Sequence, residues 1–135
     1  MQRIESFVGQ YLWLSNNYDC PIQTADGAVF MSVAHALEYE KFCGSWKTLD
    51  PIRLAIKNAK GYGQAQQIAA KNESLLPSDF RERTPHIMRR LLSQKFARGS
   101  ILGECLHATA DAQILGDEGT GVMLMQIREE NRAEQ

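Results

Sequence analysis

Apolar residues change their spacing along this chain. Before residue 32 they come in short runs set among turn residues. FVGQYLWL alternates imperfectly, and AVFMSV is a second brief apolar run. Both read as short extended pieces. Between them SNNYDCP supplies turn residues, and Ala25-Asp26-Gly27 makes a tight turn. The opening third is therefore expected to be hairpin-like.

From Ser32 onward the spacing becomes helical. Ser32 is placed to cap a helix running to about Phe42, with Ala34, Glu38 and Phe42 one turn apart on one face. In DPIRLAIKNA, Asp50 reads as a cap and Pro51 as the first helical residue, with Ile52, Ala55 and Ile56 on one face. Gly61 and Gly63 break that pattern, and GQAQQIAAK predicts another short helix. TPHIMRRLLSQKF follows, with Thr84 as cap, Pro85 at the first position, and Ile87, Leu91, Leu92 and Phe96 toward the core. A short helix starts near Ser100. GVMLMQIREENR predicts a last one, with Val122, Met125 and Ile127 partly buried and a charged, frayed tail. The expected fold class is α+β: a single small, mainly helical domain over residues 1–128, a few short N-terminal strands, and a charged tail over 129–135.

Composition narrows the function classes. The chain has 135 residues, 44% hydrophobic and 23% charged, enough to bury a real core without staples. A net charge of −1 provides no bulk field for nucleic acid. Cys20, Cys43 and Cys105 form neither a disulfide framework nor a zinc motif. MQRIESFVGQ lacks the apolar stretch of a secretion signal, and no run is long enough to span a bilayer. A reducing, cytoplasmic setting is the expectation, with no membrane partner.

Candidate chemistry is sparse on residue type alone. Ser15, Asn16 and Asn17 can hydrogen-bond a ligand's hydroxyl or phosphate groups, or cap their own turn. His35, just past a helix cap, reads first as a hydrogen-bonded structural residue. Glu38 and Glu40 share a short helix, where carboxylates are usually solvated. Lys41 and Arg53 can bind phosphate, although a surface ion pair is their commoner use. In QKFARGS, Lys95 and Arg98 can hold an anion, but Gly99 ending one helix and Ser100 capping the next is the preferred account. Met123, Leu124 and Met125 read as core filler. No Walker loop, dinucleotide fingerprint, metal cluster or Ser-His-Asp set is present, so no cofactor and no metal are invoked.

The order of several short motifs does carry information. They are Leu14-Ser15-Asn16, Pro21, Asp26-Gly27, Ser32-Val33 with His35, Lys41, and IMRRLLSQKF ending at Phe96. Leu106 to Thr109, Gly121, and LMQIR ending at Arg128 complete the series. In this order and spacing, from about Phe7 to Arg128, the chain resembles the NADAR family. That family includes the N-glycosidase of riboflavin biosynthesis intermediates. The resemblance implies a small α+β fold with a cleft for phosphoribose or ADP-ribose-type ligands. It implies ligand-binding roles for Ser15, Asn16, His35, Lys41 and Phe80. N-glycoside cleavage needs a carboxylate beside an oxocarbenium-like sugar and an aromatic against the base.

The departures bear on that chemistry. The family pattern S-x-E-H is here Ser32, Val33, Ala34, His35, so alanine stands where glutamate is expected. The family tryptophan before the IMRR helix corresponds to Phe80, which stacks but has no indole N–H. A D-x-x-W-G segment is missing, and only ADAQILGDEGT spans the gap, with Asp117 and Glu118 near the place of its acid. Loss of one well-placed charged group removes roughly 10²–10³ in rate. Three readings follow. One is a non-catalytic, pseudoenzyme-like module binding a ribonucleotide, an ADP-ribose-type ligand or a protein partner through the old cleft. The second is an active N-glycosidase whose catalytic residue is Glu38, about 5.4 Å of helix rise from Ala34. The third is a structural or interaction subunit of a viral or other assembly with no small ligand.

Overall fold

A computed structural model of the chain describes residues 2–43, 49–116 and 118–133. The fold is α+β, with short strands and mostly helix. The chain divides into two compact units, one of residues 1–18 and 92–135, the other of residues 19–91.

In the second unit, β2 (Ile22–Gln23) pairs antiparallel with β3 (Val29–Phe30), Ile22 opposite Phe30. Gly27, at φ 93°, makes the turn between them. The hairpin is thus present, but it is closed by these residues and not by FVGQYLWL. Helices α1 (Val33–Lys41), α2 (Asp50–Lys57) and α3 (Tyr62–Lys71) pack on one another, and α1 also packs on the hairpin. Ile22, Phe30, Val33, Ala36, Phe42, Ile56 and Ala65 fill the core between them. Asp50 is the first residue of α2, not its cap, and its carboxylate pairs with Arg53 one turn on. Ala55 is exposed; only Ile56 of the expected face is fully buried.

Helix α4 (Phe80–Lys95) begins a turn earlier than Thr84 and Pro85 suggest. Asp79 starts it, accepting the backbone N–H groups of Glu82 and Arg83 on its carbonyl at 3.1 and 3.0 Å. The Asp79-x-x-Glu82 spacing is itself a helix-start signature. Pro85 sits inside the helix and removes one backbone donor. The Thr84 hydroxyl, instead of capping, donates to the Phe80 carbonyl at 2.6 Å.

In the first unit, β1 (Arg3–Ile4) lies parallel to β4 (Gln113–Ile114). FVGQYLWL is not a strand. Gly9 to Leu14 form a 3-10 stretch with a break at Tyr11, held by local bonds such as Ser15 N–H to the Leu12 carbonyl at 2.9 Å. The reason is burial: Val8 and Leu12 are exposed, so no alternating apolar face exists to pair against a sheet. Helices α5 (Ile101–Ala108) and α6 (Gly121–Ala133) pack together, and α6 also packs on β4. Ser100 caps α5 by accepting the Gly103 N–H at 3.0 Å, and Gly99 before it has φ 86°. Phe96, Leu106, Ile114, Leu124 and Ile127 form this core. Val122, expected to be partly buried, is exposed, and Leu124 takes the inward place. The charged segment after Arg128 continues as helix to Ala133, with Asn131 donating to the Phe96 carbonyl at 2.9 Å. Arg128 donates to the Thr109 hydroxyl and the Ala112 carbonyl, both at 2.9 Å. Two of the family-like motifs therefore meet, and their contact fixes the entry to β4. Among the described residues no helix is long and apolar enough to cross a membrane.

Candidate functional site

Helix α1 carries two buried carboxylates on different sides. Ser32 caps it, its hydroxyl oxygen accepting the His35 backbone N–H at 3.1 Å. Glu40, 4% exposed, accepts the Ala25 N–H at 3.1 Å and forms an ion pair with Arg90 of α4. It ties the hairpin turn and α4 to α1, which is a structural task. Glu38, 7% exposed, has a different setting.

Glu38 and Lys41 line a cavity of about 230 Å³. Helix α3 contributes Gln66 and the small side chains of Ala69 and Ala70, which leave the space open. Glu73, Leu76 and Phe80 complete the far wall. The Lys41 ammonium donates to Glu38 Oε1 at 2.8 Å. Glu38 Oε2 takes no hydrogen bond among the described residues. The Arg81 guanidinium stands 5.8 Å from the centre of the Phe80 ring, a cation–π distance. Glu38, Lys41 and Phe80, dispersed over half of the second unit's sequence, are brought to one cavity.

His35 is committed elsewhere. Its ring Nε2 lies 2.7 Å from the Ile56 carbonyl, and because a carbonyl only accepts, Nε2 carries the proton. The ring packs on Phe30 and is not among the residues lining the cavity. Ala34 is also buried and does not line it.

Ser15 and Asn16 belong to the other unit. The Ser15 hydroxyl accepts the Asn17 N–H at 3.2 Å, and its carbonyl accepts the buried Lys95 ammonium at 2.6 Å. Asn16 donates its backbone N–H to Glu118 Oε1 at 2.8 Å. Among the described residues, Asn16 Oδ1 and Thr120 Oγ1 are buried with no hydrogen-bond partner. Asp117 lies outside the described residues. The Glu118 contact joins positions 102 apart in sequence, and no local pattern announces it.

A second cavity of about 230 Å³ lies against Asp26, Glu40, Cys43 and Arg53. Its groups are already engaged. Asp26 accepts the Tyr39 hydroxyl and the Thr24 hydroxyl, each at 2.6 Å. Burial opposes ionisation of Asp26, but those hydroxyls and the Ala28 N–H outweigh it, and its pKa falls below the ordinary 3.8. Burial pushes the Cys43 thiol up to about 11, with the Asp26 charge adding to it, so the thiol stays neutral at pH 7. A carboxylate depressed by folding stabilises the fold above its unfolded pKa, and that contribution is lost as pH falls through the lower folded value. Tyr39→Phe removes one of the two hydroxyls. Its stability deficit against the parent chain should be full above about pH 5 and shrink below pH 4 in urea titrations. A deficit constant from pH 7 to pH 3 would exclude this linkage.

Among the described residues no group of three metal-ligating side chains converges. No protein-family model matches the chain. No curated protein matches it by sequence. Among solved structures, the NMR structure of the E. coli protein YbiA is similar, with a TM-score of 0.77 and 23% identity, covering 99% of this chain and 88% of that one. At that identity the likeness is one of fold. YbiA is a NADAR-family protein, and the α+β fold of this chain is NADAR-like.

Proposed function

We propose that this chain is a divergent NADAR-like binding protein, catalytically impaired, that holds a ribonucleotide or ADP-ribose-type ligand in the cavity of Glu38, Lys41 and Phe80. The observation that carries this is the convergence of those three side chains on one cavity. Phe80 offers a ring for stacking against a base. Lys41 and Glu38 offer a donor and an acceptor of the kind that ribose hydroxyls pair with.

Two features argue against ordinary catalysis. Alanine stands at the position of the expected glutamate, and Ala34 does not reach the cavity. Lys41 also sits on Glu38, and an ammonium 2.8 Å from a carboxylate offsets the charge that would stabilise an oxocarbenium-like sugar. The second reading, an N-glycosidase using Glu38, is favoured by one fact: Glu38 lines the cavity with an oxygen free of hydrogen bonds among the described residues.

ADP-ribose or a related ribonucleotide should raise the melting temperature. At a hundredfold excess over Kd the gain is about 2.7 kcal/mol. No free base should be released from ribosylated substrates by the parent chain. If base is released and Glu38→Gln abolishes it without loss of folding, the glycosidase reading replaces the binding one. No thermal shift at millimolar ligand across a nucleotide panel would defeat both and leave a protein partner or an assembly as the occupant of the cleft.

A further inference from the structure

We infer that the cavity selects a positively charged base and takes its riboside base-first, leaving any phosphate outside; this rests on the ribonucleotide reading above. The size of the space is the first ground. At about 230 Å³ it lies below the usual range for a whole drug-sized ligand, and it suits one ring system with part of a sugar. A complete dinucleotide-like ligand therefore enters by one end.

The charges decide which end. Among the described residues, two carboxylates, Glu38 and Glu73, line the cavity against one ammonium, Lys41. That ammonium is already engaged with Glu38 at 2.8 Å. A phosphate entering here would meet two carboxylates and a cation that must first leave its partner. A cationic base meets Glu73, a Glu38 oxygen that takes no hydrogen bond among the described residues, and the face of Phe80. The Phe80 ring already receives a cation in this fold, the Arg81 guanidinium at 5.8 Å. Arg81 does not line the cavity and is exposed, so solvent and salt screen it. Arg83, the other cation nearby, is held by Asp79 at 3.2 Å and by the carbonyls of Cys43 and Lys41. Gln66 adds a neutral amide that pairs with either a donor or an acceptor on the ring edge.

Calorimetric titration with 1-methyladenosine, a cation at neutral pH, and its uncharged isomer N6-methyladenosine tests this directly. The cation should bind about tenfold tighter at low salt, the preference falling toward unity at 0.5 M salt. Adenosine 5′-monophosphate should bind no tighter than adenosine. Glu73 is exposed on a short 3-10 turn (Glu73–Leu75), so Glu73→Gln should fold normally while cutting the preference to about threefold. Equal affinities for the two isomers, a preference untouched by Glu73→Gln, or tighter binding of the monophosphate would each overturn the inference while leaving the ribonucleotide reading in place. Absence of binding by every nucleoside, by the monophosphate and by ADP-ribose would overturn both.

Discussion

A Phe96→Ala variant should melt about 10–20 °C below the parent chain, the largest stability loss expected of any single truncation here. Phe96 is fully buried at the end of the run that carries the longest helix. Its ring meets Trp13 edge-on at 6.1 Å and lies 4.9 Å from the Lys95 ammonium. Its carbonyl accepts the Asn131 amide of α6. Truncation removes the apolar contacts and opens a cavity, which costs about 3–5 kcal/mol. It also removes an aromatic face from a buried cation, and that ammonium keeps its bond to the Ser15 carbonyl but loses part of its surroundings. Chemical denaturation should show a lower midpoint at an unchanged slope. A loss under 1 kcal/mol would mean that this part of the core is not packed as described.

The second large effect concerns the ligand. Phe80→Ala should weaken binding of ADP-ribose or an adenine ribonucleotide about ten- to hundredfold, because stacking of one base on an aromatic ring is worth about 1–3 kcal/mol. Phe80 is only half-buried, at the first turn of α4, so the variant should keep its melting temperature within a few degrees. Phe80→Trp should bind at least as well as the parent, since the larger ring adds area and an N–H donor. Calorimetry separates the outcomes. An affinity unchanged by Phe80→Ala would place the ligand away from this cavity.

Much of this was legible in the sequence, and the part that was not has a common cause. Helices α1, α3, α5 and α6 announce themselves through a cap, a spacing of three to four, or a glycine stop, all of which act within one or two turns. Ser32 and Ser100 accept the N–H groups their positions predict. The two-residue strands β1 and β4 could not be read, because their pairing joins the start of the chain to residue 113 and leaves no period in either segment. FVGQYLWL misled for a related reason: apolar residues were counted, but Val8 and Leu12 face solvent. At the site, residue types named Glu38 and Lys41, and the family resemblance named Phe80, while only the fold brings Gln66 and Glu73 beside them. His35 is a similar case. On residue type it reads as a hydrogen-bonded structural histidine, and its ring N–H is held by the Ile56 carbonyl, a partner 21 positions on that local sequence does not name. Glu118 was noted for its charge, and its actual partner, the Asn16 N–H, is a contact that local sequence does not encode.

The central claim is that Glu38, Lys41 and Phe80 form the wall of a ribonucleotide site. A crystal structure of the chain soaked with ADP-ribose tests it most directly. The account predicts density for a base against Phe80 and ribose hydroxyls within hydrogen-bond distance of Glu38 or Lys41. Density at another surface, or an unoccupied cavity at millimolar ligand, would contradict it.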